Sequence, residues 1–187
     1  MSYSPPTVSV QPMISAFLRG VGTGIDESVA GSAPGSGSFE FANRAVYYPV
    51  VVPGTCAIRR VWWANGSSVS ASYNVDVGVY ADTGAFRPGA RLVSSGSTAQ
   101  GTASQIQFVD VTDTSLGPGR YWIAIACSST SSTFFRSNLT SGVYGSVLRL
   151  RENGALPLPS TATPDALTVD DLEQQIYLFG FATTASP

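Results

Sequence analysis

The side chains that most often carry out acid–base chemistry are scarce in this sequence. The chain contains no histidine, and all ten of its basic residues are arginine. Without histidine a Ser-His-Asp triad cannot be assembled, and the sequence holds no G-x-S-x-G nucleophile motif. Because histidine is the commonest general base, this composition favours a protein that holds or binds something over an enzyme. We therefore predict a non-enzymatic protein with no catalytic residues and no cofactor.

Carboxylates are the remaining candidates for catalysis. Asp76 lies on the polar face of an alternating segment, and Asp110 and Asp113 flank a threonine-containing turn. A glycosidase needs two carboxyl groups roughly 5–10 Å apart, and the sequence leaves open that Asp76 and Asp110 meet across strands. Aspartates at strand ends and in turns more often accept hydrogen bonds from backbone N–H groups, and we expect that role here.

A metal site is a second possibility. Asp82 and Thr83, together with neighbouring carbonyl groups, would supply oxygen ligands of the kind that calcium prefers. The loop lacks the closely spaced acidic residues of a strong calcium motif, so we predict no metal. Cys56 and Cys127 are too few for a zinc site or a disulfide framework. We expect two buried thiols, with a disulfide between them as the alternative.

One segment combines arginine with tryptophan. Arg59-Arg60-Val61-Trp62-Trp63 would place one arginine and one tryptophan on each face of a regular strand. We therefore expect one tryptophan in the core and the other partly exposed beside an arginine. An exposed tryptophan next to planar polar groups is suited to stacking on a sugar ring. The alternative is that an arginine covers the tryptophan through a cation–π contact.

Composition narrows the class of protein. A chain of 187 residues, 43% of them hydrophobic, is long enough for one domain with a substantial core. Charged residues make up only 12%, so neutral polar residues or neighbouring subunits must cover the surface. The net charge of −2 and the lack of a basic stripe argue against nucleic acid as a partner. The sequence predicts no membrane insertion, and the first residues lack the features of a secretory signal.

The elements that must position these side chains are predicted to be β-strands. Val75, Val77 and Val79 alternate with polar or small residues, and the segment Tyr121–Cys127 repeats the pattern. Turns rich in glycine separate such segments at the spacing of an all-β protein, an antiparallel β-sandwich of jelly-roll type. Pro49 indicates an edge position or a break in the first strand. The predicted strands are 39–52, 57–64, 74–80, 90–94, 105–111, 120–127, 132–136, 143–151 and 174–182.

The first part of the chain differs from the rest. Residues 1–38 are rich in glycine, proline and serine and are predicted to form an N-terminal anchoring arm, whereas residues 39–187 form the sandwich domain. A small apolar patch interrupts the arm, and Ile14, Phe17 and Leu18 are its natural anchors. The arm is expected to lie either along its own domain or on a neighbouring subunit.

Several runs of residues together resemble a known family. The runs are Phe41–Val50, Ile58–Gly66, Asn74–Tyr80, Leu92–Thr98 and Leu116–Ala126. In combination they resemble small β-sandwich virion proteins of tailed bacteriophages, which are head-decoration, head-fibre or minor tail proteins. The resemblance implies a non-enzymatic structural protein on the virion exterior. Such a protein is made in the cytoplasm of the bacterial host and docks on capsid or tail subunits, here through the N-terminal arm.

Two further expectations follow from this resemblance. A symmetric homo-oligomer is expected, because capsid and tail sites are themselves symmetric. Contact with host surface glycans is expected as a secondary role. The candidate residues for that contact are Trp62, Trp63, Tyr73, Phe134, Phe135 and Tyr144.

Three other interpretations remain open at this point. A minor tail or baseplate protein would act in host adhesion rather than on the head. A carbohydrate-binding module of a secreted bacterial protein would be joined by a linker to a partner domain. A small hydrolase that uses acids alone would bring two carboxylates, such as those of Asp76 and Asp110, together in a cleft.

Overall fold

The structure is a computed structural model that describes residues 14–15, 20–22, 35–138, 149–165 and 175–185. Within these ranges the chain forms strands, turns and bends and no helix, so the predicted all-β class is confirmed. The strands are β1 (Ile14–Ser15), β2 (Gly20–Gly22), β3 (Gly35–Ser38), β4 (Arg44–Val52), β5 (Cys56–Ala64), β6 (Asn74–Asp82), β7 (Pro88–Ser94), β8 (Thr98–Ala99), β9 (Ile106–Leu116), β10 (Gly119–Cys127), β11 (Thr133–Asn138), β12 (Leu150–Glu152), β13 (Gln175–Tyr177) and β14 (Phe179–Ala185).

These strands form three antiparallel sheets. A five-stranded sheet has the order β1-β2-β14-β5-β9. A six-stranded sheet has the order β12-β4-β10-β6-β7, with β8 paired to β6. The third sheet is smaller and joins β13, β11 and β3. This strand order is that of an antiparallel sandwich and does not establish the finer jelly-roll topology.

The main core lies between the five-stranded and the six-stranded sheet. Alternate side chains of each strand point into it, because successive residues of a strand face opposite sides of the sheet. The two sheets therefore pack face to face over a common apolar layer. The six-stranded sheet contributes Val46, Tyr48, Val75, Val77, Val79, Ile123 and Ile125, and the five-stranded sheet contributes Ile58, Val61, Trp63, Phe179 and Phe181.

The outer face of the six-stranded sheet is also buried. The segment 149–165, which we call the covering segment, packs across it and forms a second apolar cluster. The covering segment also pairs with the edge of the sheet, where Thr161 forms a bridge with Ala90 of β7. From the covering segment the cluster contains Leu150, Ala155, Leu158 and Ala162, and from the sheet it contains Ala45, Tyr47, Tyr80, Trp122, Ala124 and Ala126.

Asp76 holds the covering segment in place. Its carboxylate is fully buried and accepts a hydrogen bond from the backbone N–H of Leu158 at 2.9 Å. The hydroxyls of Ser94 and Ser95 donate to the same carboxylate at 2.7 and 3.1 Å. A buried carboxylate is tolerated only when such donors replace its hydration, so Asp76 has a structural role.

Each strand predicted between residues 39 and 136 has a counterpart in the structure. β4 is flanked on one side by β10 over its whole length and on the other by β12 only at Ala45–Tyr47. Pro49 therefore lies beyond the reach of β12, where its missing N–H disrupts no pairing among the described strands. The short strands β1, β2, β3 and β8 were not predicted. Of the predicted strand 143–151, residues 143–148 lie outside the described residues.

Parts of the predicted N-terminal arm belong to the sheets of the sandwich. β2 pairs with β14 and β3 pairs with β11, so the sequence between residues 20 and 38 contributes strands to two sheets. β1, which contains Ile14, pairs only with β2 among the described strands and forms the edge of the five-stranded sheet. Phe17 and Leu18, the other two predicted anchors, lie outside the described residues. Of the two expected positions for the arm, β2 and β3 lie along their own domain.

The two cysteines are free thiols. The strand register places them at opposite ends of the sandwich, which excludes a disulfide within one chain. Cys56 pairs with Leu116, next to the turn that leads into Gly119, whereas Cys127 ends β10. The length of β10 separates these two ends by about 26 Å at 3.3 Å per residue.

Gly78 provides the first test of this packing, because it lies where β6 passes beneath the covering segment. A Cβ at this position would come within 2.8 Å of the Val93 carbonyl oxygen and 3.0 Å of Leu158 Cδ1. We predict that Gly78→Ala lowers the free energy of unfolding by about 1–3 kcal/mol, since the backbone carbonyl cannot move aside. Urea denaturation followed by tryptophan fluorescence measures this change.

Gly54→Ala is the matched control, because nothing lies within 4 Å of a Cβ at that position. It should change the free energy of unfolding by less than about 0.5 kcal/mol. Equal destabilisation by the two substitutions would contradict the close approach of the covering segment to β6.

Candidate functional site

The two aspartates considered as a catalytic pair lie on opposite sides of the molecule. Asp76 is on the outer face of the six-stranded sheet, beneath Leu158. Asp110 is in β9 of the five-stranded sheet and points away from the core, since its neighbours Val109 and Val111 pack against that core. The whole sandwich separates the two carboxylates, so they do not form a cleft.

Every side-chain carboxylate in the described part of the chain has a polar partner. These contacts involve hydroxyl, amide, indole and guanidinium donors, which satisfy the charges where they lie. The contacts are Glu40 with Arg149, Asp76 with Ser94, Ser95 and Leu158, Asp82 with Arg120 and Trp122, Asp110 with Arg60, Asp113 with Arg59, Glu152 with Tyr47 and Thr163, and Asp165 with Asn153.

Asp82, the candidate calcium ligand, is occupied by protein donors. Its Oδ2 accepts hydrogen bonds from Arg120 Nε at 2.9 Å and Trp122 Nε1 at 2.8 Å. Its Oδ1 accepts from the backbone N–H of Gly84 at 2.7 Å and from Arg120 at 3.2 Å. The Arg120 guanidinium, helped by the Trp122 and Gly84 donors, holds the pKa of Asp82 below its usual value. The carboxylate thus fastens a loop to β10.

Both tryptophans of the arginine–tryptophan segment are buried, so the expectation that one is partly exposed is wrong. Trp62 is 7% exposed and Trp63 is 1% exposed. Val61 and Trp63 point into the main core, so Trp62 lies on the opposite, outer face of β5 and is buried there. Before the two tryptophans, β5 contains a β-bulge at Arg59. On the β14 side, Ile58 pairs with Thr183 and Arg60 with Ala182, which leaves Arg59 as an extra residue. The strand therefore turns both arginines to solvent while Ile58 and Val61 both enter the core.

The bulge also opens a groove on the outer surface, which we call the bulge groove. On the β9 side, Ile58 pairs with Thr114 and Arg60 with Asp110, so Val111–Asp113 lie opposite Arg59 alone. The groove lies along this mismatch. The groove has a volume of about 410 Å³ and is lined by Arg59, Arg60, Asp110, Val111, Asp113, Ala182 and Thr183.

Two ion pairs form the polar part of the bulge groove. Arg60 Nε lies 2.5 Å from Asp110 Oδ1, and Arg59 Nε lies 3.2 Å from Asp113 Oδ2. All four side chains are more than half exposed, so their remaining donors and acceptors face water. Exposed pairs of this kind contribute only about 0–1 kcal/mol to stability. They are therefore available for contact with a ligand at little cost to the fold.

An apolar surface adjoins these ion pairs on the same outer face. Phe108 and Ile106 of β9 are 43% and 45% exposed. Phe108 is paired with Trp62 across the two strands, and the buried indole N–H of Trp62 has no hydrogen-bond partner in the described part of the chain. Phe108 was not predicted as a site residue from the sequence. The alternation along β9 was the signal that could have identified it, because it places Phe108 on the same face as Asp110.

The other residues expected to contact glycans differ in their burial. Phe134 is fully buried and packs edge-on against Phe39 and Tyr177. It is therefore a core residue, and its prediction as a glycan contact is wrong. Tyr73 and Phe135 are half-buried. Tyr144 lies outside the described residues. None of the residues predicted to contact glycans lines the bulge groove.

Comparison with known proteins does not assign this groove. The chain matches no protein-family model, no curated protein and no solved structure. Across the described ranges, no helix is long and apolar enough to cross a membrane. The same residues include no group of three or more cysteine and carboxylate side chains that is able to hold a metal ion.

The pKa of Asp82 generates a prediction about acid stability. Because this pKa is lower in the folded than in the unfolded chain, the carboxylate stabilises the fold above the unfolded value of about 3.9. That contribution is lost as the pH falls through the folded pKa. We predict that Asp82→Asn is less stable than wild type at pH 7 and that its free energy of unfolding depends less on pH below about pH 4.

Urea denaturation at a series of pH values measures both effects. Asp113→Asn is the control, because it removes an exposed ion pair worth about 0–1 kcal/mol and should keep the acid dependence of the wild type. If Asp82→Asn loses stability on acidification as steeply as the wild type does, the assigned role of Asp82 is wrong.

Proposed function

We propose that this chain is a non-enzymatic structural protein on the exterior of a tailed-phage particle, acting as a capsid-decoration or head-fibre protein. In this proposal it docks through its N-terminal segment and repeats as a symmetric homo-oligomer on capsid or tail subunits. The particle assignment is supported by the resemblance of residues 41–127 to such virion proteins. The low content of charged residues, 12%, also fits a surface that meets other subunits.

A binding role rather than catalysis is supported by how the acids are used. Each described carboxylate lies beside a donor that neutralises or hydrogen-bonds it, as with Asp76 beneath Leu158 and Asp82 beside Arg120. A general acid needs a raised pKa, whereas the Arg120 guanidinium lowers the pKa of Asp82. The carboxylates thus support the fold.

Docking through the N-terminal segment is supported by one observation above all, the edge position of β1. The segment reaches the five-stranded sheet as the pair β1–β2, with Ile14 opposite Val21, and β2 continues onto β14. The outer side of β1 has no partner strand among the described residues. An edge of this kind can accept a strand from a neighbouring subunit, and main-chain hydrogen bonds then provide affinity.

Particle reconstitution tests this proposal. Virions that lack the chain are mixed with purified protein, and electron cryomicroscopy measures the occupancy of the added sandwich. A deletion of residues 1–19 removes β1 and retains β2 and β3, whereas a deletion of residues 1–38 would also remove strands that pair with β14 and β11. We predict that the shorter deletion lowers occupancy by at least about tenfold, since the edge ladder is lost.

Val51→Ser is the control for a surface change away from this edge. Val51 is 66% exposed and belongs to β4 of the other large sheet, so this variant should keep full occupancy. Full occupancy of the deletion variant would refute docking through β1. Absence of the wild-type chain from the particle exterior would refute the virion assignment.

A further inference from the structure

We propose that the bulge groove and the adjoining Phe108 bind a neutral sugar residue, with Phe108 as the stacking surface and the Arg60–Asp110 pair as the hydrogen-bonding partner. Trp62, Trp63 and Phe134, which were predicted to contact glycans, are buried. The proposed site therefore uses different residues, which lie on the outer face of the five-stranded sheet. It goes beyond the docking role, because the groove is lined by residues of β9, β5 and β14 and docking is assigned to the β1 edge.

The charges of the bulge groove favour a neutral ligand. Each guanidinium already has a carboxylate beside it, Arg59 with Asp113 and Arg60 with Asp110. A phosphate or a carboxylate would have to displace one of these aspartates, and a cation would have to displace an arginine. A ligand without charge binds to both members of a pair and displaces neither.

Sugar hydroxyls match the hydrogen-bonding groups of these pairs. A guanidinium only donates and an ionised carboxylate only accepts, and the two lie side by side in each pair. A hydroxyl both donates and accepts, so adjacent hydroxyls can accept from Arg60 and donate to Asp110. The exposure of these side chains, 54% and 74%, leaves room for such a ligand.

Phe108 supplies the apolar surface that a sugar ring requires. It precedes Asp110 by two residues on β9, about 7 Å along the strand, and both side chains point away from the core. A pyranose ring carries hydroxyls on its rim and C–H groups on its faces. The spacing lets its face lie on Phe108 while its rim reaches Asp110. Ile106, 45% exposed, extends the apolar surface for a second sugar unit.

Two further observations support a built site. The groove volume of about 410 Å³ falls within the range of small-molecule pockets, roughly 300–1,000 Å³. Trp62, which is paired with Phe108 across the two strands, has a buried indole N–H without a hydrogen-bond partner among the described residues. Buried donors are normally satisfied, so this group is an unused donor beside the proposed stacking surface. β-Bulges also occur next to binding sites, where they re-aim side chains.

The position of the groove relates it to the proposed docking edge. Four strand spacings of about 4.8 Å, or about 19 Å, separate β9 from β1 across the sheet. With β1 docked on a particle, the groove, which lies across β14, β5 and β9, is not part of the docked edge. This arrangement rests on the proposed function, whereas the binding chemistry of the groove does not.

Nuclear magnetic resonance on the isolated, ¹⁵N-labelled full chain tests the site without any particle. The probes are soluble neutral oligosaccharides, namely malto-, cello-, manno- and galacto-oligosaccharides, each titrated to about 10 mM to detect millimolar affinity. At least one of them should shift the Nε–H signals of Arg59 and Arg60. The Nε–H signal of Arg120, which bonds to Asp82 in the other sheet, should stay in place and serves as the internal reference.

Three variants distinguish binding in the groove from non-specific binding to the protein surface. Phe108→Ser and Asp110→Asn should each weaken the affinity by at least about tenfold. Phe41→Ser is the matched control, because Phe41 is also 43% exposed and also lies beside an arginine, Arg44. It should bind like the wild type.

Several results would overturn the proposal. These are the absence of any shift with the neutral oligosaccharides, shifts only with inorganic phosphate or sialyllactose as charged probes, and equal binding by Phe108→Ser and Phe41→Ser. None of them bears on docking through β1. Failure of particle docking likewise leaves these titrations unaffected, so the two proposals fail separately.

Discussion

The β-bulge at Arg59 is the constraint that determines which side chains of β5 face solvent and where the groove lies on the five-stranded sheet. Ile58 and Val61 both enter the core although they are three positions apart, which a regular strand does not allow. The bulge reconciles these two anchors and turns the intervening arginines to solvent. It also sets Val111–Asp113 of β9 opposite a single residue, and the groove opens at that mismatch.

The outer face of the six-stranded sheet is covered, in contrast to that of the five-stranded sheet. On the six-stranded sheet this face is buried under the covering segment, which the Asp76 carboxylate fastens at Leu158 and which also pairs with the β7 edge. The five-stranded sheet keeps an exposed groove and two edge strands, β1 and β9, without a further partner among the described residues. The proposed docking edge and the proposed ligand groove therefore both belong to the five-stranded sheet.

The fold was largely predictable from the sequence, and the site was not. Alternation in segments such as Asn74–Tyr80 and Tyr121–Cys127 predicted strands because one face of each packs in the core. The Arg59 bulge depends on pairing with both β14 and β9, which residue spacing within one strand cannot reveal. Arg59 and Arg60, predicted on opposite faces, both face solvent for that reason. Asp76 was recognised as structural, but its partner Leu158 is distant in sequence and lies in a segment without strand periodicity.

Cysteine accessibility at three consecutive positions tests the bulge most directly. Arg59→Cys, Arg60→Cys and Val61→Cys are labelled in the folded protein with a charged thiol reagent, and mass spectrometry of the peptides distinguishes them from the native cysteines. The bulge predicts rapid labelling at positions 59 and 60 and protection at 61, which is fully buried. Protection at 59 together with labelling at 60 would mean uninterrupted alternation, and would contradict both the bulge and the groove that depends on it.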